Sequence, residues 1–277
     1  MKLFKKCVGF IFILVTAVMS LWYISGGKEA FSSVKRLPVI MYHSVSESEE
    51  GRYVIPKYKL EEDFKYLSEK GYEAVTARDL AEALKENKPL PKKPVIITFD
   101  DGYYNNFKYA LPLIEKYKLK AVISVIGKCI ERYDETEDRA VSYACLNSED
   151  INSLISTGRI EIANHSYDMH RQGVRKGTMR IKGEDSEKYK EAFCTDARSC
   201  YDCVYQNTGV KMKSYTYPYG QITGESVEYL DEMGYDVYFT CYEKINVLDS
   251  ISFPMGLGRF NRDGRMTTSA FMEKAGI

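Results

Sequence analysis

The sequence predicts an α/β fold, a distorted (β/α) barrel set behind an N-terminal membrane-anchor helix. Three observations carry that expectation. Short β-rich runs alternate with amphipathic stretches from residue 38 onward, residues able to bind a metal fall where those runs stop, and a basic N-terminus leads into an uncharged apolar stretch. A chain of 277 residues, 44% of them hydrophobic, buries one sizeable core. The chain accordingly divides into a signal or anchor at 1–26, a linker at 27–36 and a single domain at 37–277.

The first element in order is the anchor. Lys2, Lys5 and Lys6 precede a mostly apolar run over residues 7–24. As a helix rising about 1.5 Å per residue, such a run spans about 27 Å, close to the thickness of a hydrocarbon core. Ala17-Val18-Met19 lacks the small-residue spacing of a cleavage site, and Leu21-Trp22-Tyr23 prolongs the apolar run. An uncleaved anchor is therefore favoured over a cleaved signal peptide. Lysines on the cytoplasmic side place the remainder outside, so the expected location is the cell membrane, single-pass with an extracellular domain, or the medium if the segment is cleaved.

Six cysteines, Cys129, Cys145, Cys194, Cys200, Cys203 and Cys241, follow the anchor. Their even number permits disulfides without requiring them. Cys200 and Cys203 form one C-x-x-C step with no second pair at ribbon spacing, which favours a local disulfide or free thiols over a structural zinc. Lys plus Arg equal Asp plus Glu at 39 each with no long basic run, so nucleic acid is excluded as an expected partner. Nothing in the sequence fixes the oligomeric state.

Past Gly26, Gly27, Ser32 and Ser33, the β-rich runs are 38–43, 72–75, 95–99, 121–126, 159–163, 214–217, 236–240 and 251–255. Amphipathic segments fall at 60–70, 77–85, 105–117, 150–156, 186–206 and 226–233. This alternation builds a parallel sheet whose chemistry sits at the C-terminal ends of the strands.

The run Val95-Ile96-Ile97-Thr98-Phe99 ends in Asp100-Asp101-Gly102. Two adjacent carboxylates repel unless a cation lies near, although Asp before a helix also serves as a cap. Taken alone, the pair fits either role. The run ending at Ala163 opens into Asn164-His165-Ser166-Tyr167-Asp168-Met169-His170. Five residues of separation put the two histidines about 140° apart on a helix, so a strand end and its loop must bring them together. The spacing therefore differs from the H-E-x-x-H of metalloproteases. The chain has only three histidines, and two lie here after an Asp-Asp pair, which makes an Asp-His-His metal site the leading expectation. His43 also ends a β-rich run, and Tyr217-Pro218-Tyr219-Gly220 makes a turn able to aim a backbone N–H into a cavity.

These segments resemble the polysaccharide deacetylases of carbohydrate esterase family 4, the NodB-homology domain. The likeness runs from about residue 38 to 262 and is strongest at Thr98-Phe99-Asp100-Asp101-Gly102 and Asn164-His165-Ser166. It implies that Asp101, His165 and His170 bind a divalent metal ion, expected to be Zn²⁺. It further implies that Asp100 is the general base and that Tyr219 lends its backbone N–H to an oxyanion hole. The four residues between the histidines match relatives that deacetylate poly-β-1,6-N-acetylglucosamine exopolysaccharide. Thr216 stands where many members carry an arginine, so the arginine that would steady Asp100 comes from elsewhere or is absent, with Arg259 and Arg262 as candidates that equally fit ordinary surface cations. The late motif lacks its usual histidine, and His43 is left as the catalytic acid, in a position resembling an early histidine of the exopolysaccharide enzymes. Ser166 is a candidate to steady the ligands or simply the loop.

The expected function is therefore extracellular metal-dependent N-deacetylation of an N-acetylated amino-sugar polymer, exopolysaccharide or peptidoglycan. A noncatalytic sugar-binding relative has no use for all four site residues at once. A glycosidase built on Asp100 needs a second carboxylate and no metal.

Overall fold

The computed structural model describes residues 36–136, 138–248 and 252–277. The predicted anchor at 1–26 lies outside the described residues, as does the linker at 27–36 except Arg36. Among the described residues no helix is long and apolar enough to cross a membrane.

In chain order the strands are β1 (Arg36–Leu37), β2 (Val39–Tyr42), β3 (Ser44–Ser46), β4 (Val54–Pro56), β5 (Glu73–Ala74), β6 (Pro94–Phe99) and β7 (Ala121–Val125). They continue with β8 (Ile160–Asn164), β9 (Ser214–Thr216), β10 (Val237–Phe239), β11 (Asn246–Val247), β12 (Met255–Leu257) and β13 (Phe260–Asn261). The helices are α1 (Lys57–Glu69), α2 (Ala77–Lys85), α3 (Leu111–Lys116), α4 (Gly127–Asp134), α5 (Ser148–Ser156), α6 (Ser186–Thr208), α7 (Gly224–Glu232) and α8 (Thr268–Lys274).

The main sheet runs β12-β10-β9-β8-β7-β6-β2-β13, with β5 on β6, and its pairings are parallel. Its two end strands are consecutive in sequence. Only Gly258 and Arg259 separate β12 from β13, so Leu257 and Phe260 stand at most about 11 Å apart at 3.8 Å per residue step. Edges joined that closely force the sheet to curl on itself, giving the expected barrel shape with a seam at Gly258-Arg259. Asn246 closes this seam: its Nδ2 donates to Leu37 O and Gly258 O, and its Oδ1 accepts from Gly258 N. A side chain at 258 would bring Cβ within 2.4 Å of Lys244 Cγ and 2.5 Å of Tyr242 O, hence the glycine.

Strand periodicity divides the core. Val39, Ile96, Val122, Ala163, Val237 and Phe239 form the barrel-interior cluster, into which Leu80 and Ala81 of α2 pack. Their neighbours Ile40, Ile97, Ile123 and Ile162 belong to a cluster shared with Leu60 and Phe64 of α1, Leu154 of α5 and Val204 of α6. Each strand thus shows one face to the barrel and the next to a helix.

The expected elements are present with ends shifted by a few residues, and four departures have physical causes. The helix expected at 105–117 begins as a π-helical turn, Asn106–Ala110, in which Leu111 N bonds Asn106 O. Pro112 follows and has no N–H to return to Lys108. Helix α4 begins at Ile126 without a side-chain cap and so lacks a start signal. The last strand of the expected set lies at Met255–Leu257 rather than 251–255, and β13 is two residues long and made by pairing with β2. The six cysteines are free thiols.

Arg262 is neither a surface cation nor a partner of Asp100. Its Nε donates to Asp63 Oδ2 at 2.7 Å and its Nη2 to Oδ1 at 3.1 Å, with both side chains fully buried. Tyr42 Oη and Thr268 Oγ1 also donate to Asp63, so one carboxylate ties β2, α1, α8 and the end of the barrel together. Asp63→Ala strands the guanidinium and should lower the unfolding free energy by about 3–5 kcal/mol. Urea denaturation measures it; a loss below about 1 kcal/mol would show that the pair does not hold these elements.

Candidate metal centre and active site

Three strand ends of the barrel deliver the site through backbone that L-residues seldom adopt. Asp101 after β6 has φ 70°, Ser166 after β8 has φ 74° and Tyr219 after β9 has φ 57°. Each such residue costs on the order of 1–3 kcal/mol and persists only where its surroundings over-determine it. The turn re-aims the side chain that follows the strand, so Asp101 points away from its neighbour Asp100 and their charges need not face each other.

Asp101 meets both motif histidines. Its Oδ1 lies 3.2 Å from His170 Nε2 and 3.5 Å from His165 Nε2, and the three ligand atoms lie within 4.8 Å of one another. His165 is buried, and its Nδ1 lies 2.7 Å from Thr216 O. A carbonyl can only accept, so Nδ1 carries a hydrogen and Nε2 is the ring nitrogen that faces Asp101. The His170 ring lies against that of Tyr219, tilted by 38° with centroids 4.6 Å apart.

Asp101 Oδ1 is buried and has no hydrogen-bond partner. An orphaned carboxylate oxygen facing two imidazole nitrogens calls for a positive charge between them. Burial opposes the Asp101 carboxylate, yet the three histidines outweigh it and hold the carboxyl well below its ordinary range. Burial also opposes a charged His165, but Asp101 and Asp100 overcome it and raise that imidazole. Burial, then repulsion from His165, pushes His170 down to about 4, so the second imidazole stays neutral. One carboxylate oxygen and two imidazole Nε2 atoms converging on one point are a donor set that fits a divalent cation, which would take the place of the proton on His165.

Asp100 is the partner of Arg259. Burial would raise its carboxyl, but Arg259 outweighs burial and keeps it below the usual carboxylate range. The guanidinium donates from Nη1 to Oδ1 at 2.7 Å and from Nη2 to Oδ2 at 2.8 Å, and both residues are buried. Arg259 also donates to Thr98 Oγ1 at 3.0 Å and, through Nε, to Thr240 O at 3.0 Å. The arginine absent at 216 therefore reaches Asp100 from the seam. Thr216 instead serves through its carbonyl to His165 and its hydroxyl, 2.7 Å from Ser124 Oγ.

His43 stands at the end of β2 with Nε2 4.0 Å from Asp100 Oδ2, and its ring lies 4.7 Å from that of Tyr53. Burial pushes its imidazole down, and the attraction of Asp100 and Asp101 offsets that only in part. Two side chains not anticipated from the sequence hold this strand end. Asn106 Nδ2 donates to His43 O at 2.8 Å, and Asn105 Oδ1 accepts from Val45 N at 2.9 Å while its Nδ2 donates to Ser44 Oγ. Both asparagines are buried. Adjacent amides directly after Asp-Asp-Gly-Tyr-Tyr were the available signal, since a helix start needs only one cap. The Ser166 hydroxyl is buried without a hydrogen-bond partner.

The barrel thus gathers Asp100, Asp101, His165, His170, His43 and the Tyr219 turn at one end of its strands. Known proteins share this chain's sequence and shape. The family model described as polysaccharide deacetylase matches residues 87–238, more than half of the chain. The poly-beta-1,6-N-acetyl-D-glucosamine N-deacetylase of Escherichia coli (strain K12) is 25% identical over 226 residues, which cover 73% of this chain and 33% of that protein. The chain thus spans only about a third of the length of that relative. The structure of IcaB from Ammonifex degensii aligns with a TM-score of 0.72 and 26% identity over 88% of this chain and 97% of that one. A de-N-acetylase from Aggregatibacter actinomycetemcomitans, 21% identical, shares the fold with a TM-score of 0.72 over 86% of this chain and 99% of that one. With the family model spanning most of the strands that carry the site, the chain belongs to the polysaccharide deacetylase family.

Proposed function

We propose that the protein is a metal-dependent N-deacetylase that hydrolyses the acetamide of an N-acetylglucosamine-type polysaccharide outside the cell. The observation that carries this reading is the orphaned Asp101 oxygen between two imidazoles, set beside a separately paired Asp100. Family membership supports the reaction, and the printed name of the Escherichia coli relative supports the polymer class. Lys2, Lys5 and Lys6 before the apolar run at 7–24 support a membrane-anchored chain with its catalytic domain, residues 37–277, outside.

Asp101, His165 and His170 would hold the cation, with Zn²⁺ the expected ion. When bound, the ion supplies Lewis acidity that polarises the acetamide carbonyl and acidifies the attacking water. Asp100, kept ionised and oriented by Arg259, takes a proton from water as the water oxygen bonds the carbonyl carbon. The backbone N–H of Tyr219 donates to the oxyanion that develops, a contribution of about 2.7–4 kcal/mol for one such donor. His43, neutral at rest, has its Nε2 4.0 Å from Asp100 Oδ2, and in this reading it takes up the proton that Asp100 gains once the two close to hydrogen-bond distance. His43 then protonates the nitrogen as the C–N bond breaks, leaving acetate and a free amine. The exposed ring of Tyr53 beside His43 and the partly buried ring of Tyr219 beside His170 offer aromatic faces to a sugar.

Incubation with N-acetylglucosamine oligomers tests the reaction: mass spectrometry should show loss of acetyl groups with chain length unchanged, whereas shortened chains would make the protein a glycosidase. A chelator should abolish acetate release, and His165→Ala or His170→Ala should remove metal and activity together. Retention of stoichiometric metal by the double variant would refute the ligand assignment.

His43→Ala should keep its metal and lose about 10²- to 10⁴-fold in turnover on the acetamide. An aryl acetate, whose leaving group departs without a proton, should be much less affected. Equal losses on amide and ester would remove His43 from the acid role.

Arg259→Met withdraws the charge that offsets burial at Asp100, so the carboxyl should rise above its ordinary range. Because the base acts ionised, the acid limb of kcat/KM should move to higher pH. An acid limb that stays in place would show that Asp100 is not the base.

A further inference from the structure

The four residues between His165 and His170 form an irregular loop, and every polar backbone group in such a loop must find a partner. Ser166 N donates to the side chain of Asn164 at 2.9 Å. The carbonyls of Ser166 and Tyr167 accept from the first amides of α4, Gly127 N at 3.1 Å and Lys128 N at 3.0 Å. That approach leaves no room at 127, where a Cβ would lie 2.7 Å from Tyr167 Cδ2.

The next amides turn the other way, toward α6. Tyr167 N donates to Asp196 Oδ1 at 2.9 Å and Asp168 N to Asp196 Oδ2 at 2.8 Å. A single carboxylate thus receives two consecutive N–H groups from the segment that leads into His170. Asp196 touches neither the proposed ligands nor Asp100. It stands on the 23-residue helix α6, whose Phe193, Ala197 and Cys200 are fully buried, so its position is fixed by the core rather than by the loop.

We propose that Asp196 is the positioning residue for His170, its carboxylate fixing the turn that lets a five-residue step return the second imidazole to Asp101. This inference rests on the metal reading above. With His165 held by Thr216 O and Asp101 by its own strand end, His170 is the ligand carried furthest along a loop, and its placement needs a rigid outside support. Charge-assisted bonds from two amides supply that rigidity.

The test uses the full chain, purified in mild detergent, with Zn²⁺ alone as the probe and affinity read by competition against a chromogenic chelator. Thermal unfolding of the metal-free protein is followed in parallel. Asp196→Ala should weaken zinc binding by about 10- to 100-fold, the usual effect of losing a group that orients a ligand. Asp196→Asn, which keeps one acceptor, should lose less. An alanine variant that is folded and binds zinc as the parent does overturns the proposal, even if its metal-free melting temperature falls, because that is the signature of a merely structural carboxylate. If neither variant folds, Asp196 is a folding determinant and the positioning role is overturned. A parent chain that binds no zinc overturns the metal reading beneath it, which separates the two failures.

Discussion

The pair between Arg259 and Asp100 joins the closure of the barrel to the chemistry at its mouth. Arg259 occupies the two-residue seam between β12 and β13, where its backbone N–H bonds Tyr242 O and its side chain crosses to Asp100 and Thr98 at the end of β6. Neither charge is tolerable alone at this depth. An unpaired buried carboxylate takes up a proton, and an unpaired buried guanidinium destabilises the fold by several kcal/mol. The bidentate geometry satisfies both and fixes the plane of the carboxylate. The other site residues then take their places relative to an anion whose orientation is already set.

Around that pair, the site is assembled from strand ends held by groups on other elements. Thr216 O orients His165, Asn106 holds the carbonyl of His43, and the amides opening α4 hold the loop after His165. The left-handed conformations of Asp101, Ser166 and Tyr219 are the local cost of turning side chains into the mouth. Short strands with rigid neighbours keep these turns from relaxing.

The barrel and the site were legible in the sequence to different extents. The mainly apolar run of β6, interrupted only by Thr98 and followed by Asp100 and Asp101, shows a buried strand and its chemistry together, because residue type there largely follows from burial. His165 and His170 were legible as ligand candidates through their scarcity and placement. Arg259 was only one of two candidate arginines, since nothing near it in sequence shows that residue 258 lies at a seam. Its partner is 159 positions away. Asn105 and Asn106 stood out only as adjacent amides, and their role was not legible because their partners, His43 after β2 and Ser44 and Val45 on β3, are brought near only by the fold. The two-residue strands β1, β11 and β13 carry too little pattern to be read alone and exist through their pairing.

The order of the strands along the chain has a consequence for how the molecule matures. Strand β2, near the start of the described residues, is completed on one side by β13, with Ile40 opposite Phe260 and Asn261 opposite Met41. During synthesis β2 therefore lacks this neighbour until residues 260–261 have emerged, and contacts of such long sequence separation form slowly. Until then Asp100 has no guanidinium beside it. The cleft is therefore complete only once the step at Gly258-Arg259 has carried the chain from β12 to β13 and brought the guanidinium to Asp100.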